Sequence, residues 1–252
     1  MNYFVHDSVA SRYARYRPYL HPAVVKRIRL FLQLDEPVHR ALDVGCGTGH
    51  STVALKEIAY EIVGVDVSAA MLSMAKPEAR IRYVQAPAEA LPFDDRFFEL
   101  VTVGLAFHWF DQDRFLAEAH RVLADDGWLV IYNNIFQGHM VENAEFSRWY
   151  HETYLARYPT PPRNPRSISR EKGEAHGFRL VHEERHEDEH AFTVDQLAAY
   201  FTTQSNVIAA VEQGDEDLES VFNWLVESVK PMFPGDSATF RSSGSICYLR
   251  KV

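Results

Sequence analysis

The residues best suited to chemistry fall in one stretch, Leu42-Asp43-Val44-Gly45-Cys46-Gly47-Thr48-Gly49. A buried strand delivers a turn whose glycines let the backbone adopt positive φ and pass close to a ligand. The helix that follows presents free N–H groups and the positive end of its dipole, which suits an anion. Asp66 ends a second apolar run, Ile62-Val63-Gly64-Val65, and lies 21 positions beyond Gly45. A carboxylate there accepts hydrogen bonds from both hydroxyls of a ribose, or else caps a helix opening near Ser68. Val67 and Met71 then either flank a purine base or pack in the core. A glycine turn followed by an acid also describes nicotinamide-nucleotide binders, so the nucleoside ligand stays open at this point.

The elements that must position these residues alternate strand and helix, which argues for a parallel sheet. Strands are expected over 40–44, 61–66, 80–85, 100–105 and 128–133, with helices over 48–58 and 68–75 between them. The clearest helix carries Phe115, Leu116, Ala119, Val122 and Leu123 on one face, with Asp111 to cap its start and Gly127 to end it. In such a doubly wound sheet the ligand lies beyond the carboxyl ends of the strands. After Asn134 the pattern changes. Residues 141–158 read as helical and aromatic, Pro159–Pro165 as a break, and 178–192 as a long polar strand. Helices over 194–211 and 215–230 and a last strand over 245–250 complete the chain. The expected organisation is a single domain, 1–252. It comprises an N-terminal helical segment (1–37), a ligand-binding core (38–134), a cap insertion (135–176) and a C-terminal half (177–252).

The formal net charge is −9 over 252 residues. An acidic surface repels phosphate backbones, so nucleic acid is not the expected partner. Two cysteines, Cys46 and Cys247, are too few for a disulfide framework. The start, Met1-Asn2-Tyr3-Phe4, lacks the features of a signal peptide, and no apolar run approaches the length of a membrane span. A cytoplasmic protein with no membrane partner, a monomer or homodimer, is expected.

Several stretches together carry a family resemblance. They are Tyr13-Ala14-Arg15-Tyr16-Arg17-Pro18, Leu42 to Gly49, Val63 to Asp66, and Ala88-Glu89-Ala90-Leu91-Pro92-Phe93. Ala106-Phe107-His108-Trp109-Phe110-Asp111 and Arg121-Val122-Leu123 complete the set, with a weaker echo at Tyr200-Phe201-Thr202-Thr203-Gln204-Ser205. In these the chain resembles the class I methyltransferases of small molecules, a group that includes trans-aconitate and ubiquinone-biosynthesis enzymes. The resemblance implies an α/β, Rossmann-like, doubly wound sheet of seven strands, mostly parallel with an antiparallel last strand, plus N-terminal helices and a helical cap. It implies S-adenosylmethionine as the cofactor and a small-molecule acceptor. The methionyl carboxylate then meets the helix after Gly49, with Tyr16 or Arg17 near it, and Asp43 meets the donor's amino group directly or through water. Gly45, Cys46, Gly47, Gly49, Asp66, Val67, Met71 and Ala106 surround the rest of the donor. Relatives usually carry Asp where this chain has Pro87, so adenine contact passes to the backbone near Ala88 or to Glu89.

Methyl transfer from a sulfonium needs an in-line nucleophile, and a base only when that nucleophile holds a proton. His108 is the candidate base; alternatively His108 and Trp109 shape the pocket. Trp149, Tyr150, Tyr154 and Tyr158 either line an acceptor cavity or pack as helix core. Arg163, Arg166 and Arg170 either hold an acidic acceptor or lie on a solvated face. His182, His186 and His190 read as strand residues, spaced about 13 Å apart per four residues, too far to share one ion, so no metal is assigned. Ester formation on a carboxylic acid is the leading reaction, with methylation of a quinone-like ring as the alternative. A donor-binding protein without turnover and a nicotinamide oxidoreductase are the competing classes.

Overall fold

The computed structural model describes residues 4–212, 214 and 216–252. Its strands are β1 (Val38–Val44), β2 (Ala59–Asp66), β3 (Ile81–Gln85), β4 (Phe98–Gly104), β5 (Leu123–Tyr132), β6 (Ile135–Met140), β7 (Phe178–Thr193) and β8 (Ser237–Lys251). The chain divides into two compact units, with divisions inside β7 and β8. The first holds Tyr19–Asn133, Arg163–Arg185 and Ser245–Val252. The second holds residues 4–18, Asn134–Pro162 and the described part of His186–Gly244.

In the first unit the strand order is β3-β2-β1-β4-β5-β8, with β7 paired to β8. Pairs among β1 to β5 are parallel, and β8 runs antiparallel to β5 with Ile131 opposite Cys247. This is the expected seven-stranded Rossmann-like sheet. Strand order reverses between β1 and β4, and ligands bind at such switch points. The inner strands are almost continuously apolar because both faces are covered. One face packs Leu42, Val63, Phe115 and Leu116; the other packs Val24, Ile28, Ile58 and Tyr248.

The helix Gln112–Val122 buries Phe115, Leu116, Ala119 and Val122, and Asp111 caps it by accepting from Arg114 N–H at 3.3 Å. It stops at Val122, five residues before the expected Gly127, because β5 already begins at Leu123. The β4–β5 register slips between Phe98 and Leu100, and Asp126 takes φ +63 in the extra turn. Gly127 belongs to this bulge, where a Cβ would sit 2.9 Å from the Ala124 carbonyl oxygen. The helix expected over 48–58 is shorter, His50–Ala54, followed by a 3-10 turn Leu55–Glu57.

In the second unit β6 pairs antiparallel with β8, Phe136 opposite Ser242 and Met140 opposite Phe240. No strand was expected there. The helical stretch expected from 141 starts at Glu145 and includes a π-helical turn, Tyr150–Tyr154. The helix expected over 194–211 is two, Val194–Phe201 and Ser205–Glu212. Between them the Thr202 and Thr203 hydroxyls donate back to the Ala199 and Tyr200 carbonyls, at 2.7 and 2.6 Å, competing with the helical pattern. The next helix runs Leu218–Val229, capped by Asp217; its expected start at Asp215 lies outside the described residues. The core of this unit is aromatic, with Phe136, Phe146, Tyr154, Phe201 and Phe240 in contact. Among the described residues no helix is long and apolar enough to cross a membrane.

Replacing Asp111 by Ala removes the cap of Gln112–Val122. It is expected to cost about 1 kcal/mol, read as a lower urea midpoint at unchanged m-value.

Candidate functional site

At the end of β1 the chain turns through Gly45, Gly47 and Gly49 at φ +73, +53 and +81. Neighbours occupy the space side chains would need. A Cβ at Gly45 would lie 2.5 Å from that of Ala106, one at Gly47 would lie 3.1 Å from Met71 Cε, and one at Gly49 would strike the Tyr83 hydroxyl. The Gly45 and Cys46 N–H groups both donate to the Val65 carbonyl, at 2.8 and 3.0 Å, which ties the loop to β2. Burial pushes the Cys46 thiol well above its ordinary pKa, so it packs as a neutral group. The buried Thr48 hydroxyl has no hydrogen-bond partner among the described residues.

Asp43 is fully buried beneath this loop. Its Oδ2 accepts from Ser51 Oγ at 2.6 Å and Thr52 Oγ1 at 2.7 Å, and its Oδ1 accepts from Thr102 Oγ1 at 3.2 Å. Its carboxylate is therefore committed to the protein. Asp66 accepts from Gly47 N–H at 2.8 Å and from Ser68 N–H at 2.9 Å. Burial raises its pKa against the pull of those bonds. The following helix is capped by the Ser68 hydroxyl, which accepts from Met71 N–H, and not by Asp66. A carboxylate offers about four acceptor positions, so capacity remains for a ligand's hydroxyl. Beside it Val67 is 53% exposed, unusual for an apolar residue at a strand end, whereas Met71 is buried.

Ala88 is buried, and Glu89 Oε1 accepts from Asp111 N–H at 2.8 Å. Ala106 leads from β4 into a 3-10 turn, Phe107–Trp109, after Leu105 at φ +59. His108 is buried in that turn and tilted against Trp109. Arg163 brings Nη1 to 3.4 Å from His108 Nε2, and its guanidinium lies 5.1 Å over the Trp109 ring. Asn164 donates from its N–H to the His108 carbonyl at 3.2 Å and from its side chain to the Phe110 carbonyl at 2.8 Å. Gln112 donates to the Pro165 carbonyl at 2.8 Å. Arg166 follows directly in the same unit. The His108–Arg163 proximity joins residues far apart in sequence.

A second pair escaped the sequence reading. Tyr132, the last residue of β5, lies against Gly104, and its hydroxyl is 2.8 Å from Nδ1 of His21. Burial lowers the pKa of His21 to about 3, so its imidazole is neutral.

Tyr16, Arg17 and Tyr154 belong to the second unit. Arg17 donates to the Thr203 carbonyl at 2.8 Å and lies over the rings of Tyr13 and Tyr200. Tyr154 is part of the aromatic core, only 1% exposed, with its hydroxyl donated to Asn206. Among the described residues no three His, Cys, Asp or Glu side chains are grouped to hold a metal. His182 stacks on Phe31, and His186 pairs with Asp188 at 2.8 Å.

Residues 42–131 match the model of a methyltransferase domain. Over those residues the chain is similar to the class I S-adenosylmethionine-dependent methyltransferase domains. S-adenosylmethionine is the methyl donor of that class. The chain is 41% identical over 114 residues to a demethylmenaquinone methyltransferase of Thermus thermophilus, a match covering 42% of this chain and 52% of that protein. It is 35% identical over 103 residues to an uncharacterized methyltransferase of Bacillus subtilis, covering 38% and 41%. The chain thus spans about half the length of the curated relatives it matches. In fold it is similar to the crystal structure of a candidate type II methyltransferase from Anaeromyxobacter dehalogenans, with TM-score 0.69, 22% identity and coverage of 94% and 97%. A [4+2]-cyclase shares the fold at TM-score 0.55 and 20% identity, with coverage of 91% and 84%, so the fold alone does not set the reaction.

Burial raises the Asp43 carboxyl to about 6, against the hydrogen bonds that lower it. The folded protein therefore retains a proton that the unfolded chain releases between about pH 4 and pH 6, and this residue's contribution makes stability fall as pH rises through that window. Asp43→Asn is expected to flatten the slope, measured as guanidinium midpoints from pH 4 to 7; an unchanged slope would assign it to another group.

Proposed function

We propose that this protein transfers a methyl group from S-adenosylmethionine to a small molecule, and that the receiving atom is a carboxylate oxygen. The observation that carries the donor reading is the Gly47 N–H to Asp66 hydrogen bond. It holds the ribose-binding acid and the anion-binding turn in one rigid relation, as a ligand with a ribose at one end and a carboxylate at the other requires.

The residues present fit that donor. Asp66 has acceptor capacity left for a ribose hydroxyl, and exposed Val67 offers an apolar surface to the adenine. Met71 supports Gly47 from below, and Ala88 with the backbone around Glu89 faces the base's far edge. Gly45, Gly47 and Gly49 leave room for the methionyl chain, and the orphaned Thr48 hydroxyl supplies a polar contact. Asp43 acts through the loop it supports, and Cys46 packs. Ala106, against Gly45, walls the side where the methyl group leaves.

When bound, S-adenosylmethionine supplies a methyl group already activated on a sulfonium. For a carboxylate acceptor one S–C bond breaks and one C–O bond forms, charge is neutralised, and no proton moves. Positioning is then the main task of the protein. His108 and Trp109, with Arg166, stand on the acceptor side in this reading. The names of relatives favour a second reading, methylation of a quinone-like ring, since a demethylmenaquinone methyltransferase and a Vibrio vulnificus ubiquinone/menaquinone biosynthesis C-methyltransferase are among them. A ring carbon or hydroxyl sheds a proton, and His108 would then be the base.

Calorimetric titration tests the donor reading. The protein is expected to bind S-adenosylmethionine and neither NADH nor NADPH, and Asp66→Ala is expected to weaken the donor more than tenfold by removing charge-assisted ribose contacts. Binding of a nicotinamide nucleotide in its place would overturn the function and leave the fold intact.

A further inference from the structure

We propose that Arg163 anchors an anionic group of the acceptor, and that His108 holds Arg163 in place instead of serving as a base. The inference rests on the methyl-transfer reading above and names the residue that selects the acceptor.

Arginine has five N–H donors and no acceptor, so its approach to Nε2 of His108 at 3.4 Å has one chemical meaning. Nε2 must present its lone pair, and the imidazole proton must sit on Nδ1. A base needs its lone pair turned to the substrate, and that of His108 Nε2 is turned to Arg163.

The same contacts make Arg163 a fixed cation. Its guanidinium lies over the Trp109 ring, an attraction between cation and π-face. The next residue, Asn164, is pinned to the carbonyls of His108 and Phe110, and Pro165 accepts from Gln112. The arginine therefore enters the Phe107–Trp109 turn on a short tether with three hydrogen bonds behind it. That turn opens one residue after Ala106, which packs against Gly45 of the donor loop. A planar fork held there recognises a carboxylate better than a neutral ring.

Two measurements test this on the full chain. The first is a 15N spectrum of the histidine rings, with the His108 signals assigned by their loss in His108→Asn. The expected tautomer carries its proton on Nδ1; a proton on Nε2 overturns the proposal, whatever the variants do. The second is calorimetry on protein saturated with S-adenosylhomocysteine, using succinate against succinamide and benzoate against benzamide. At least one carboxylate should bind ten times more tightly than its amide. Arg163→Met should cancel that difference, Arg163→Lys should restore part of it, and S-adenosylhomocysteine affinity should stay within twofold. Equal binding of acid and amide, carboxylate binding that survives Arg163→Met, or no carboxylate binding at all would overturn it. Failure of the donor reading shows separately, as wild-type protein that does not bind S-adenosylhomocysteine.

Discussion

A carboxylate sealed from water is expensive unless its lone pairs are used, and Asp43 uses them on three hydroxyls from two other elements. Ser51 and Thr52 bring the first turn of the helix His50–Ala54, and Thr102 brings β4. Asp43 itself belongs to β1. The glycine turn hangs between the strand and helix joined in this way, so its two ends are set before any ligand arrives. Its middle is set by β2, through the Val65 carbonyl and the Asp66 carboxylate. A loop tied at both ends and in the middle spends little entropy on binding.

The absence of side chains at the glycines matters as much as the bonds. Ala106 fills the space over Gly45, Met71 that at Gly47, and Tyr83 that at Gly49. Each contact comes from a different place: the turn after β4, the helix Ala69–Ser73 that follows β2, and the middle of β3. The turn is thus a point where four strands report their positions to one another. Through Ala106 the register extends to Phe107–Trp109, and from there through Asn164 and Gln112 to Arg163. Displacing β4 by a fraction of an ångström would therefore move the glycine turn and Arg163 together.

Much of this was legible in the sequence, and the pattern of failures is physical. The glycine turn, Asp66 and the helix capped by Asp111 depend on local chemistry, and each stands where residue type and spacing put it. The misses depend on distant partners. The short strand Ile135–Met140 contains a glycine at φ +64 and is a strand only because β8 pairs with it about a hundred residues later. Gly127 looked like a helix end because glycine often is one; a bulge against β4 claimed it. Asp43 could be placed at the tip of its strand, but not the three hydroxyls that turn it inward. Tyr154 shares its aromatic character with any cavity wall, and its burial against Phe201 and Asn206 was not legible in the sequence.

At long range the chain's net charge of −9 disfavours an anionic acceptor. Range settles the conflict. At physiological salt the field of surface charges fades over about 8 Å, so the acidic exterior slows the approach of an anion more than it weakens its contact with a cation at the site. In the proposed reading the guanidinium of Arg163 and the sulfonium of a bound donor are the positive charges nearest the acceptor. A neutral acceptor gains little from either. A carboxylate gains from both, and it loses its charge to the ester it becomes, which weakens the product's hold on Arg163 and the thioether that remains. In that reading the attraction that orients the acceptor would be consumed by the reaction, and product release would follow from the same electrostatics that bind the substrate.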